Sequence, residues 1–150
     1  MPDIFDRVLL LKRSPVFSMV NTDDLRVVAQ SLETQEYFAG DRIFEINDQG
    51  DLLYLLCSGK VGLTIDEDPD SRNDIAILED GETFGEMNLL DDLPRSATAH
   101  VLEDAVLLTL EKTRLRGLIQ SYPDISIGML RSMSLKVREV NTRLLELKNK

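Results

Sequence analysis

The residues of this chain best suited to chemistry lie between Phe84 and Thr98, in the order Phe84-Gly85-Glu86-Met87-Asn88-Leu89-Leu90-Asp91-Asp92-Leu93-Pro94-Arg95-Ser96-Ala97-Thr98. A glycine and a carboxylate open a very short apolar turn, and Pro94-Arg95 then enters a strand of small residues. That order suits a phosphate held beside a sugar. A short helix starting at Glu86 offers backbone N–H groups to an anion, and Gly85, lacking a Cβ, lets the backbone approach closely. Glu86 repels a phosphate but accepts well from sugar hydroxyls. Arg95 supplies a planar, permanently charged fork for phosphate oxygens.

The stretch resembles the phosphate-binding cassette of the cyclic nucleotide-binding domain family, in which Phe-Gly-Glu is followed at this spacing by Pro-Arg-Ser/Ala-Ala-Thr. The upstream run Gly40-Asp41-Arg42-Ile43-Phe44, and then Gly50-Asp51-Leu52 through Gly59-Lys60-Val61, resembles the family's glycine-punctuated strands. The resemblance covers about residues 5 to 145 and is similar to the cAMP-binding regulatory domains of catabolite-activator-like bacterial proteins and of cAMP-dependent kinase regulatory subunits.

The resemblance implies roles for particular residues. Arg95 would pair with the exocyclic oxygens of a cyclic phosphate and Glu86 would accept from the ribose 2′-hydroxyl. Gly85, Met87, Asn88, Ser96 and Ala97 would complete the phosphate shell, while Val61, Leu63 and Leu78 would face ribose and base. Ser96 follows the arginine as in bacterial cAMP-responsive regulators, where members selective for cGMP often have Thr, so the implied ligand is cAMP in preference to cGMP. The family's hydroxyl pair on the C-terminal helix falls at Val140 and Asn141, beside Thr142; Asn141 is the candidate to reach adenine. Asn88 stands where the family usually has Ala or Gly, and Asp91 and Asp92 add two carboxylates that would oppose a bound anion if they faced it.

Elements that could position these residues follow from the hydropathy pattern. Residues 3–12 read as an amphipathic helix with Ile4, Val8 and Leu11 on one side, ended by Pro15. Asn21 or Thr22 can cap a second helix whose first turn carries Asp23 and Asp24. Short β-prone runs then occupy 35–38, 42–46, 52–57, 60–65, 74–79, 96–101 and 105–110, with tight turns at Gly40-Asp41 and Ser58-Gly59 and a solvated acidic loop from Asp66 to Asn73. Helices return over 113–121 and from Pro123-Asp124 to about Leu147. The expected fold is a single cyclic nucleotide-binding domain, mainly β: helices over 1–34, a β jelly roll over 35–110, in which 86–91 is the only helix, and helices over 111–150.

On the last helix Leu130, Met133, Val137, Val140, Leu144 and Leu147 follow an a/d pattern over nearly three heptads. They suit a homodimer seam, or one amphipathic face covering the chain's own core.

Bulk properties exclude several classes. The 150 residues carry a net charge of −10, so no basic stripe invites nucleic acid or an anionic membrane. A hydrophobic content of 43% allows a real core. The single Cys57 rules out an internal disulfide and reads as a core thiol. One histidine, His100, read as a half-exposed strand residue, cannot assemble a several-histidine metal site, and no phosphate-loop or dinucleotide glycine pattern occurs. With no basic leader or long apolar run, the expectation is a cytoplasmic, non-enzymatic, metal-free module that binds cyclic nucleotide and signals through its C-terminal helix to an effector protein, as part of a longer protein or as a stand-alone subunit. The competing expectation is an orphan domain of the same fold that binds no nucleotide and serves as a dimerisation or interaction scaffold.

Overall fold

The computed structural model describes residues 2–66 and 73–149. Two helices open it. The first, α1 (Ile4–Arg13), starts with a reciprocal cap: the Asp3 carboxylate accepts from the Asp6 N–H at 2.9 Å, and Asp6 accepts from the Asp3 N–H at 3.4 Å. The second, α2 (Thr22–Gln30), is capped by Asn21, whose side chain accepts from the Asp24 N–H at 2.8 Å. Six strands follow: β1 (Glu33–Tyr37), β2 (Arg42–Phe44), β3 (Leu52–Thr64), β4 (Asp74–Leu78), β5 (Thr83–Phe84) and β6 (Thr98–Glu111). A 3-10 turn, Glu86–Leu89, separates β5 from β6, and α3 (Lys112–Ser121) and α4 (Asp124–Lys148) close the chain.

All strand pairs are antiparallel, in the order β1-β6-β3-β4, with β2 joined to β6 and β5 to β3. The centre is the β3–β6 pair, and both its faces are buried. Leu53, Leu55, Leu108 and Leu110 pack with Val8, Leu11, Phe17, Leu25, Leu115 and Ile125 of the helical layer. Tyr54, Leu56 and Leu107 point the other way, into a second cluster with Val61, Phe84, Ala99 and Val101. Alternate side chains of a strand leave opposite faces, so the unbroken run Leu52-Leu53-Tyr54-Leu55-Leu56 is what two covered faces require.

Four expectations need correction. The runs 52–57 and 60–65 are not separate strands joined by a turn at Ser58-Gly59; β3 runs through, and the register with β6 slips across Ser58 and Lys60. Gly59 sits in this bulge at φ +109, and a Cβ there would stand 2.5 Å from the Asp104 carbonyl oxygen. The bulge keeps the ladder while bending the strand, which a sequence reader takes for a turn. Likewise 96–101 and 105–110 merge into β6, and the two-residue β5 was too short to produce a pattern. The helix expected over 86–91 is a tighter 3-10 turn over Glu86–Leu89. Most of the acidic loop, residues 67–72, lies outside the described residues; at its base the Asp66 carboxylate accepts from the Asn73 N–H at 3.1 Å. His100 is buried, not half-exposed, with Nε2 2.5 Å from Asp74 Oδ1; Gly62, across the ladder, leaves the space this pair fills.

Gly59→Ala combines a left-handed backbone with a contact no Cβ can make, and is expected to lower stability by roughly 1–3 kcal/mol. Urea unfolding would report it, and an unchanged midpoint would show that the bulge tolerates a side chain.

Candidate functional site

Arg95 organises the cassette. Its backbone is pinned to the preceding loop: the Arg95 N–H donates to Asp48 O at 2.7 Å, and its carbonyl accepts from the Asn47 N–H at 2.8 Å. Its side chain, only 4% exposed, passes so close to Gly50 that a Cβ there would meet Nε at 2.0 Å. The guanidinium carbon lies 4.2 Å from the centroid of Phe44 and 5.7 Å from that of Tyr54. Nη1 donates to Asn88 Oδ1 at 2.9 Å and Nη2 to the Leu52 carbonyl at 3.0 Å. Nε has no partner, and among the described residues it is the only buried side-chain nitrogen or oxygen in that state.

Every hydrogen-bond and ring partner of this cation is neutral. No ion pair among the described residues includes Arg95, and burial pushes the Tyr54 phenol up to about 12, so it stays uncharged near neutrality. Desolvation lowers the guanidinium from its ordinary value, with the nearby Tyr54, Asp51 and Asp48 opposing the shift. An arginine still remains cationic near neutral pH. A buried charge without a counter-charge is costly, and its natural complement is an anion from outside the chain.

The 3-10 turn stands beside it. Gly85 adopts φ +78, where a Cβ would come within 2.6 Å of Arg95 Nη1 and 2.9 Å of the Leu52 carbonyl, so only glycine fits. Glu86, the first residue of the turn, is part-buried; burial raises its carboxyl pKa, against the pull of its own backbone N–H and the charge of Lys136 on α4. Met87 and Ser96 are exposed, whereas Asn88 and Ala97 are buried. The acidic pair does not face the arginine freely. Asp92 pairs with Lys112 Nζ at 2.8 Å, which holds its carboxyl below the usual range, and Lys112 Nζ also donates to the Asp91 carbonyl. The first residue of α3 thus grips the cassette loop, and its backbone N–H reaches Asp51 O at 2.8 Å.

The structure gathers Gly85, Glu86, Asn88 and Arg95 closely. Val61 is fully buried and pairs with Leu78 across the β3–β4 ladder, while Leu63, two residues on, is only partly buried beside the same cluster. Asn141 lies on the exposed end of α4, and no hydrogen bond among the described residues joins it to the cassette. Sequence reasoning passed over Phe44, Gly50, the Leu52 carbonyl, Lys112 and Lys136. The glycines at 50 and 85 were visible, but not that both make room for one side chain. Among the described residues no group of three or more His, Cys, Asp or Glu could hold a metal ion. A wider cleft, about 930 Å³, opens elsewhere, between Gln30, Glu33, Thr109 and Arg114; it contains no cassette residue and no unpartnered buried polar atom aims into it.

Glu86 gives a pH prediction. Its folded pKa is raised, so its contribution to stability is fullest when protonated, below the ordinary glutamate range, and is lost as pH rises through the elevated value. Glu86→Gln removes the desolvated charge and is expected to raise the melting temperature at pH 7 but not at pH 4. Equal effects at both pH values would mean that the carboxylate is not the origin.

Comparison with known proteins agrees with this geometry. The family described as "Cyclic nucleotide-binding domain" matches residues 34–122, more than half of the chain. The Cyclic AMP receptor protein of Thermus thermophilus is 33% identical over 89% of this chain and 62% of its own length. A cAMP-dependent protein kinase regulatory subunit of Debaryomyces hansenii is 32% identical over 77% of this chain and 25% of its own. The chain therefore spans about three fifths, or less, of the length of these curated relatives. Among solved structures, the N-terminal domain of a transcriptional regulator from Streptomyces coelicolor A3(2) superposes with a TM-score of 0.79 at 30% identity, covering 90% of this chain and 94% of that one. An antiparallel jelly roll with flanking helices, a Gly-Glu turn and a buried arginine, matched over more than half its length, place this chain in the cyclic nucleotide-binding domain family.

Proposed function

We propose that this chain is a regulatory module that binds a cyclic nucleotide, cAMP in preference to cGMP, on the cassette between Gly85 and Ala97. The observation that carries the reading is Arg95: a buried cation with only neutral partners and an unsatisfied Nε–H. A cyclic phosphate supplies both the missing charge and the missing acceptor. In this reading Glu86 accepts from the ribose 2′-hydroxyl, Met87 and Ser96 are the exposed members of the phosphate shell, and Leu63 faces the base. The preference for cAMP rests on Ser96 after the arginine and on the relative named Cyclic AMP receptor protein.

Residues 1–150 act here as one binding unit, and the signal leaves through α4. Lys136 of that helix acts electrostatically on Glu86, so a sugar reaching Glu86 alters what α4 faces. Beyond it, Leu130, Val137, Val140, Leu144 and Leu147 are 46–67% exposed, which supports a two-helix seam with a second copy. Met133 packs against the chain's own helical core instead. If α4 adopts different positions with and without ligand, binding shifts the population between them. No helix among the described residues is long and apolar enough to cross a membrane; a cytoplasmic, non-catalytic role acting on a protein effector completes the proposal.

Calorimetry with cAMP and cGMP is the direct test. Binding of cAMP is expected, with Arg95→Ala losing about 2–5 kcal/mol, the range for truncated charge pairs, and Glu86→Ala losing roughly 1.5–3 kcal/mol. A folded wild type that binds neither nucleotide would instead favour the scaffold reading. For the helix seam, sedimentation should show Val140→Glu as a monomer where wild type forms a dimer; a monomeric wild type at high concentration, with and without cAMP, would remove the seam.

A further inference from the structure

Asn88 is the least expected residue of the cassette, because its side chain is buried and hydrogen-bonded at both its oxygen and its nitrogen. Oδ1 accepts from Arg95 Nη1 at 2.9 Å and Nδ2 donates to the Leu93 carbonyl at 2.8 Å. The chemistry of the partners fixes the amide orientation: a guanidinium only donates and a carbonyl only accepts. The side chain therefore closes a ring through the 3-10 turn, the descending loop at Leu93 and the arginine two residues further on. Alanine or glycine at 88 would leave both Nη1 and the Leu93 carbonyl without these partners, and at Nη1, where the bond is buried, an unmade bond is expensive.

We infer that Asn88 is a positioning residue, holding Arg95 in the orientation that receives an anion while leaving its charge uncompensated. This rests on the cyclic nucleotide reading above and deepens it. The distinction lies between holding and neutralising. An amide accepts one N–H of the guanidinium and contributes no charge; a carboxylate of the same shape would hold it at least as well and cancel it. The second anchor, the Leu52 carbonyl, is neutral too, as are the rings of Phe44 and Tyr54. Two of the five guanidinium N–H groups are used, by Asn88 and Leu52, and the remaining three, Nε–H among them, are left for oxygen ligands. The position thus combines an acceptor for the arginine and a donor for the Leu93 carbonyl with zero charge, and asparagine meets both demands.

The test compares wild type, Asn88→Ala and Asn88→Asp by calorimetry with cAMP and cGMP, with thermal unfolding to confirm that each folds. Removing a hydrogen bond to a charged group is expected to weaken the better nucleotide about tenfold or more in Asn88→Ala. Asn88→Asp keeps the shape and the acceptor for Nη1 but loses the bond to the Leu93 carbonyl; it is expected to bind more weakly still, out of proportion to its loss of thermal stability, because its carboxylate answers the arginine internally. A purely structural role predicts that binding falls in step with thermal stability across the two variants, and that result would overturn the inference. So would Asn88→Ala binding as tightly as wild type. A folded wild type that binds neither nucleotide overturns the proposed function and this inference together, whereas a binding wild type with either contrary variant overturns this inference alone.

Discussion

The structure depends on keeping one guanidinium buried with no carboxylate hydrogen-bonded to it among the described residues. Taking a cation out of water costs several kcal/mol even after relaxation, so the surroundings of Arg95 must recover as much as they can without neutralising it. They do so with carbonyls, an amide and aromatic faces. Two glycines clear the path, at 50 and 85. The aromatic cluster that receives the arginine is itself braced: Tyr54 and Phe84 stack at 4.9 Å, and Phe44 lies within 6.0 Å of both. The carboxylates that act on the arginine, Asp51 and Asp48, form no ion pair with it, and the Asp48 carboxylate accepts from the Glu45 N–H at 3.0 Å. Much of the local sequence reads as a means of leaving one positive charge unanswered.

The β3–β6 pair carries this arrangement into the rest of the fold. Because both its faces are buried, one strand serves two layers: Leu53 and Leu55 hold the helices, while Tyr54 between them faces the arginine. The carbonyl of Leu52, at the start of the same strand, is an anchor of the guanidinium. The helical layer and the site therefore share the backbone of one strand.

Two lysines add links between cassette and helices. Lys112, the first residue of α3, grips the loop that carries Asp91 and Asp92, and Lys136 on α4 acts on Glu86. The cassette is thus bounded on its helical side by two positive charges on consecutive helices. Within a chain of net charge −10, Lys112 is paired with Asp92 and Arg95 makes no ion pair among the described residues, so an anionic ligand works against the overall field but toward the arginine.

What the sequence determined by itself were the features that depend on residue type and short spacing. Gly85, Glu86 and Arg95 stood out as one short stretch, Asn21 or Thr22 marked a helix start, and the change of period near Glu36 marked the passage from helix to sheet. The sequence did not show that 52–57 and 60–65 are one strand, because a bulge and a turn both present a glycine between apolar runs; only pairing with β6 distinguishes them. Nor did it show that His100 is buried, since that follows from Asp74, on another strand, and the space at Gly62. The role of Asn88 was equally hidden. Its type was legible as a departure, but its two partners, Leu93 and Arg95, meet it only when the loop folds back, and whether an amide helps or hinders an anion depends on which atom faces the arginine. Local propensity and spacing are written along the chain, whereas burial, counter-charge and register are properties of what comes to lie beside it in space, and those the tertiary structure alone decided.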